Sequence, residues 1–292
     1  MPIKYTEQRL RIHFNQLLEE YKRDHWTRPW YLALDIISHF LGEPWLAKHV
    51  GPDAPATSIF KYLPWHPPKV HVQTYRVIDL AESLLNLQNT KGIDGCVNRM
   101  KTAKNPEDCL AELHIAKMLF INGWEFWFVV RKLVRGEDYD FELKYGNHII
   151  CGEAKCKIES TPMSAKTIES VLQSNRNQLP ADKPGIFFVK VPQQWMIEPH
   201  FAQTMNQGAQ DFLSHGTGRV ISIAFYAEPI EMASQGILQG HYFREVVNPR
   251  RRFLQGADCK LFDRWRPPAG KMNKLPEKWL RVTDFPKGIL PW

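Results

Sequence analysis

Apolar positions recur at helical spacing in the first part of the chain and at strand spacing in its middle. Leu10, Phe14, Leu17, Leu18 and Tyr21 make one helical stripe. Leu34, Ile36, Ile37 and Leu41 make a second, which runs up to Gly42. Between Gly51 and Lys69 stand Pro52, Pro55, Pro64, Pro67 and Pro68. That stretch reads as a loop, because proline lacks the N–H that helices and inner strands require. A further helix is predicted from Tyr75 to Leu87, and no internal repeat is visible.

After Lys104 the pattern changes. Asn105-Pro106-Glu107-Asp108 is a helix start, with a capping residue, proline at the first helical position and acids at the positive end of the dipole. This helix is predicted to reach Ile121 and to close at Asn122-Gly123. Three strand-like runs follow, Glu125 to Arg131, Tyr139 to Tyr145 and His148 to Cys156. Turn signals at Arg135-Gly136-Glu137 and Gly146-Asn147 join them as hairpins. A helix from Ala165 to Leu179, a strand from Gly185 to Val191, a helix from His200 to Leu213 and a strand from Arg219 to Tyr226 complete the series. The order α-β-β-β-α-β-α-β predicts an α/β fold with one mixed sheet and helices on both of its faces. On this reading residues 1–104 form a mainly helical N-terminal region, 105–228 a core, and 229–292 a C-terminal extension.

Composition narrows the class. With 43% hydrophobic and 24% charged residues, the 292-residue chain supports a packed core and is not intrinsically disordered. Its apolar runs fall far short of the ~20 residues that a membrane span needs. Residues 1–20 are polar and mixed in charge, unlike a secretory signal, and five irregularly spaced cysteines fit a reducing compartment. A soluble cytoplasmic protein with no membrane partner is expected.

Charge adds a second clue. From Arg244 to Trp292 the chain holds 12 basic and 5 acidic residues, a net +7 that equals that of the whole chain. Residues 1–243 are therefore neutral. A basic segment on a neutral body suits a polyanion, most often nucleic acid. Arg250, Arg251, Arg252, Arg264 and Arg266, with Trp265 among them, are the candidate contacts. Solvated charges on a tail that completes the core through Phe262 and Leu280 are the plainer alternative.

Side chains two apart on a strand share a face, so Glu153 and Lys155 point the same way, with Cys151 on the same side. Asp140, on the hairpin partner, could bring a second carboxylate to the same point. Two carboxylates suit Mg²⁺, a hard cation that keeps several waters, and Lys155 could orient a water or stabilise a pentavalent phosphorus. A surface ion pair of little energetic weight is the competing reading of Glu153 and Lys155. The cysteines lack zinc spacing, His114 reads as a packed histidine, and no P-loop or nucleophile-elbow motif occurs.

Tyr139-Asp140-Phe141, followed after eleven residues by Glu153-Ala154-Lys155, resembles the signature of the PD-(D/E)xK nuclease superfamily. The resemblance spans residues 105–228. It departs from the pattern in having Tyr139 where proline usually precedes the aspartate, and Asp138, two residues away, leaves the choice of aspartate open. What it implies is a restriction-endonuclease-like α-β-β-β-α-β core acting as a metal-dependent endonuclease on nucleic acid, DNA before RNA. Asp140 and Glu153 would hold Mg²⁺, with Mn²⁺ as the alternative, and Lys155 would be the catalytic lysine. Glu112, in the preceding helix, matches a glutamate that often joins the metal site. Gln178 is the candidate for a glutamine that many members carry in the helix after the lysine. Double-strand cleavage by one site per chain would call for a homodimer, of which no interface is legible. A nuclease-like domain that binds nucleic acid or protein without cutting is the other function class, and members of that kind usually lack the lysine or one carboxylate.

Overall fold

The structure, a computed structural model, describes residues 4–24, 26–51, 53–54, 58–61, 72–103, 106–132, 134, 136–157, 161–233, 236–240, 242–255, 261–262 and 279–286. Asn105, the expected helix cap, lies outside the described residues, as do Arg264, Trp265, Arg266 and most of the proline-rich stretch. The helices are α1 (Glu7–Gln16), α2 (Glu19–Arg23), α3 (Thr27–Leu41), α4 (Glu43–His49), α5 (Val72–Leu87), α6 (Ile93–Thr102), α7 (Glu107–Ile121), α8 (Ala165–Asn175) and α9 (Phe201–Ser214). The strands are β1 (Phe126–Phe128), β2 (Phe141–Tyr145), β3 (His148–Cys156), β4 (Gly185–Lys190), β5 (Val220–Ala227), β6 (Ile230–Ala233), β7 (Gly236–Gln239) and β8 (Tyr242–Val247).

The chain forms two compact units that are not consecutive in sequence. The first comprises Met1–Lys117, Ile230–Gln239 and Asn273–Trp292, and the second Met118–Pro229 and Gly240–Met272. This differs from a division into three successive pieces. The physical reason lies in the last fifty residues, whose apolar side chains are shared out. Phe262 packs on Trp124, Phe188 and Phe243 in the second unit. Leu280, Val282 and Phe285 are buried in the first.

In the first unit, α3 buries Leu32, Ala33, Ile36, Ile37, Phe40 and Leu41 and stops at Gly42, whose φ of +92° suits glycine. The stripe from Leu10 to Tyr21 is two helices, not one. Leu17 and Leu18 are extended between α1 and α2, and Leu18 faces solvent. Helix α6 adds to the expected elements; its Ile93, Cys96, Val97 and Met100 follow the helical period and are buried.

The second unit is built on a six-stranded mixed sheet of order β1-β2-β3-β4-β5-β8. Strand β2 is antiparallel to β1 and β3, β3 to β5 run parallel, and β8 closes the edge antiparallel to β5. Each element expected between Ala165 and Tyr226 is present, within a few residues of its predicted bounds. Two residues, Gly146 and Asn147, turn β2 into β3, with Gly146 at φ +55°. The two crossover helices, α8 and α9, share a face, where Ile168, Leu172, Met205, Ala209 and Phe212 join Cys151, Phe187, Val189, Ile223 and Phe225 in one core. Right-handed crossovers that step in one direction along a sheet must stack on one side.

Among the described residues no helix is long and apolar enough to cross a membrane. Cys96, Cys109, Cys151 and Cys156 are free thiols.

Candidate active site

The hairpin sets the site. Phe141 pairs with Gly152, and one step beyond that pair the Asp140 N–H donates to the Gly152 carbonyl at 2.9 Å. Asp140 therefore lies across from Glu153, on the same face of the sheet. Glu153 pairs with Phe187 and Lys155 with Val189, both core residues of β4. Strand β3 pairs with β2 as far as Gly152 and with β4 from Cys151 to Cys156, so its end is held by β4. Gly152 has its own reason to be glycine. A Cβ there would meet Phe188 at 3.1 Å and Leu143 at 3.2 Å on the opposite face.

Asp140 and Glu153 are both buried, at 1% and 0% exposure. Asp140 is satisfied: Oδ2 accepts the Ala154 N–H at 2.9 Å and Oδ1 accepts from Arg131 Nη2 at 2.8 Å. Glu153 is not. Lys155 lies against its Oε1 as an ion pair, yet neither carboxylate oxygen accepts a well-aligned hydrogen bond. Burial, and then the Asp140 charge, push the Glu153 carboxyl well above the usual carboxylate range, against the pull of Lys155 and Arg131. A buried carboxylate with one ion pair and no well-aligned hydrogen bond, set beside a second carboxylate, is an arrangement that a hard cation relieves. The donor set thus fits a divalent cation held by Asp140 and Glu153. Lys155, with a fifth of its side chain exposed, reaches from this pair to solvent.

Register separates the two aspartates. Asp138 is only half-buried, and its carboxylate accepts the Lys132 N–H at 2.8 Å. Asp140 is the one set beside Glu153.

Glu112, Gln178 and the arginines remain among the expected site residues. Glu112 belongs to the first unit, where it is buried on α7 and ion-paired with Arg99 of α6. Gln178 ends the 3-10 turn Arg176–Gln178 that follows α8. A helix between parallel strands carries the chain from the end of one to the start of the next, so α8 begins near the end of β3 and finishes near the start of β4. Thr161, ahead of α8, bonds Trp195 beyond β4, whereas Arg176 accepts from Arg219 just before β5. Gln178 is accordingly at the opposite end of the strands from Lys155, and its Oε1 is buried without a hydrogen-bond partner. The helical period does not encode position along the strands.

Arg250, Arg251 and Arg252 follow β8, which runs against β5, and so they too lie at the strand starts and not beside Lys155. Their guanidinium groups donate to the carbonyls of Ser214, Asn248, Leu254 and Ala181. Arg131 adds to the expected residues. Its position three residues beyond β1 gave a basic residue on the strand next to Asp140, but only the three-strand register shows that it faces the same point.

A second charged cluster lies in the interior of the first unit. On α7, Lys117 and His114 both pair with Asp79 of α5, and Lys117 sits over the Trp279 ring. Glu82, one turn after Asp79, accepts the Val282 N–H at 2.8 Å and the Trp279 indole N–H at 3.4 Å. These groups tie 279–282 to α5.

No protein-family model, curated protein or solved structure matches the chain.

Proposed function

We propose that the second unit carries a restriction-endonuclease-like core and that the protein is a divalent-cation-dependent nuclease, with DNA as the favoured substrate. The observation that carries this is Glu153, a fully buried carboxylate set across from Asp140 and joined to Lys155 at the end of β3. A structural ion pair has no need of a second buried carboxylate, and replacing such charges by apolar groups is often neutral or stabilising. Strained, desolvated acids grouped at a strand end are a common sign of a functional site. The strand order of the sheet and the hairpin before β3 support the same reading. The reading rests on Asp140, Glu153 and Lys155 and does not need Glu112 or Gln178.

Asp140 and Glu153 would hold Mg²⁺ or Mn²⁺, which when bound lowers the pKa of a water and neutralises charge on a phosphate. Lys155 contributes an ammonium that orients the attacking water or stabilises the charge that builds on phosphorus. The Ala154 N–H and Arg131 both bond the Asp140 carboxylate and hold it beside Glu153.

Cleavage of supercoiled, linear, single-stranded and branched DNA with Mg²⁺ or Mn²⁺, against an EDTA control, is the direct test. Glu153→Ala and Lys155→Ala are expected to remove at least about a hundredfold of activity, with the fold retained by circular dichroism. Asp140→Asn should do the same, and Asp138→Asn should cut like the wild type. An active Glu153→Ala variant, or wild-type protein that cuts none of these substrates with either cation, would overturn the assignment.

A further inference from the structure

Resting on the site just described, we propose that Arg131 couples the two binding events there: it competes with the divalent cation for Asp140, and a substrate phosphate draws it away. The observation is the division of labour at Asp140. One carboxylate oxygen is taken by a main-chain N–H of β3, which belongs to the rigid sheet, and the other by the Arg131 guanidinium at 2.8 Å. The first donor is main chain, held in place by the pairing of β3 with β4, and cannot swing away as a side chain can. A cation reaching the second oxygen must share it with, or displace, a positive charge.

Arg131 is suited to move. It stands just beyond β1, the edge strand of the sheet, on a segment whose neighbours Val130 and Lys132 are exposed. About a third of its own side chain is exposed, whereas the Asp140 side chain is fully covered. A phosphate arriving from solvent meets the arginine before it meets the carboxylates. Guanidinium binds phosphate through paired N–H groups as well as it binds a carboxylate, so the exchange keeps its charge and its hydrogen bonds satisfied. Once the arginine has turned to the phosphate, Asp140 is a better cation ligand. By linkage the cation in turn favours the arginine's move to phosphate. Arg131 is on this account a positioning residue for Asp140 and a phosphate-binding residue in the loaded site.

The test measures Mn²⁺ affinity by electron paramagnetic resonance, first without nucleic acid. Arg131→Gln, which keeps a hydrogen-bond donor and drops the charge, is expected to bind Mn²⁺ more tightly than wild type, by on the order of tenfold. Arg131→Lys should resemble wild type. In a Lys155→Ala background, so that nothing is cut, a short duplex DNA should tighten Mn²⁺ binding. With Arg131→Gln added, that gain should disappear. Unchanged or weaker Mn²⁺ binding in Arg131→Gln, with the fold intact and Arg131→Lys normal, overturns the proposal and leaves the arginine a structural ion pair. Wild-type protein whose Mn²⁺ binding is absent, or is untouched by Asp140→Asn, overturns the cation site itself and Arg131's role with it.

Discussion

Glu153 and Glu82 are both fully buried carboxyls, and their surroundings differ in a way that decides what each does. Glu153 is ion-paired with Lys155 but accepts no well-aligned hydrogen bond, and it stands beside a second acid. Glu82 accepts hydrogen bonds from Val282 and Trp279, and its role is to anchor a returning segment. Burial, offset in part by Lys117 and reinforced by Asp79, raises the Glu82 carboxyl from 4.5 to about 7. In that window the folded protein holds a proton that the unfolded chain has released, so stability falls as pH rises from about 4.5 to about 7. Asp79 does not mask this, because Lys117 and His114 hold its carboxyl low against the opposing effect of burial, and its contribution is lost only in more acid solution. Glu82→Gln cannot ionise. Its stability relative to wild type should rise between about pH 5 and about pH 8 by on the order of 3 kcal/mol. Urea unfolding at the two pH values measures this, and a difference that stays constant with pH would refute the assignment.

Elements in the second unit are positioned by close approaches that only small residues permit. The α8 and α9 helices pack against each other at Gly208, where an added Cβ would lie 2.6 Å from the Ala165 carbonyl oxygen and 2.8 Å from the Ile168 Cβ. Helix propensity alone predicts that Gly208→Ala stabilises by about 1 kcal/mol. The overlap opposes it, and overpacking in a core costs about 1–3 kcal/mol. Because the nearest contact is backbone at the first turn of α8 and not a movable side-chain tip, the overlap wins. Gly208→Ala is expected to lower the unfolding temperature, and a rise would mean that α8 can slide without loss. Strand identities in this region were legible because each strand is short, apolar and bounded by turn residues. The hairpin at Gly146-Asn147 was the clearest case. The single-face arrangement of α8 and α9 was not legible, since a strand's period does not say in which direction the next strand is added.

At the scale of the whole chain, the last fifty residues hold all the net charge and supply apolar residues to both units. The arginines after β8 satisfy main-chain carbonyls at the strand starts, which gives them a structural task independent of any phosphate. Replacing Arg250, Arg251 and Arg252 together by Ala is expected to lower the unfolding temperature and to leave the salt dependence of DNA binding unchanged. Arginines bound to phosphate would behave otherwise, each removal reducing the slope by about one counterion, so a smaller slope would restore these residues to the nucleic-acid interface that their charge suggests. The sequence by itself determined the order of elements from α7 to β5, the shared face of Glu153 and Lys155, and the hairpin that carries Asp140, because these follow from local periods and turn chemistry. Only the tertiary structure decided that Asp140 and not Asp138 stands across from Glu153, that Arg131 completes the group, and that Gln178 and the three arginines lie at the other end of the strands. Register and strand direction arise from pairing between residues distant in the chain, and such pairing leaves no mark on the spacing of any one segment.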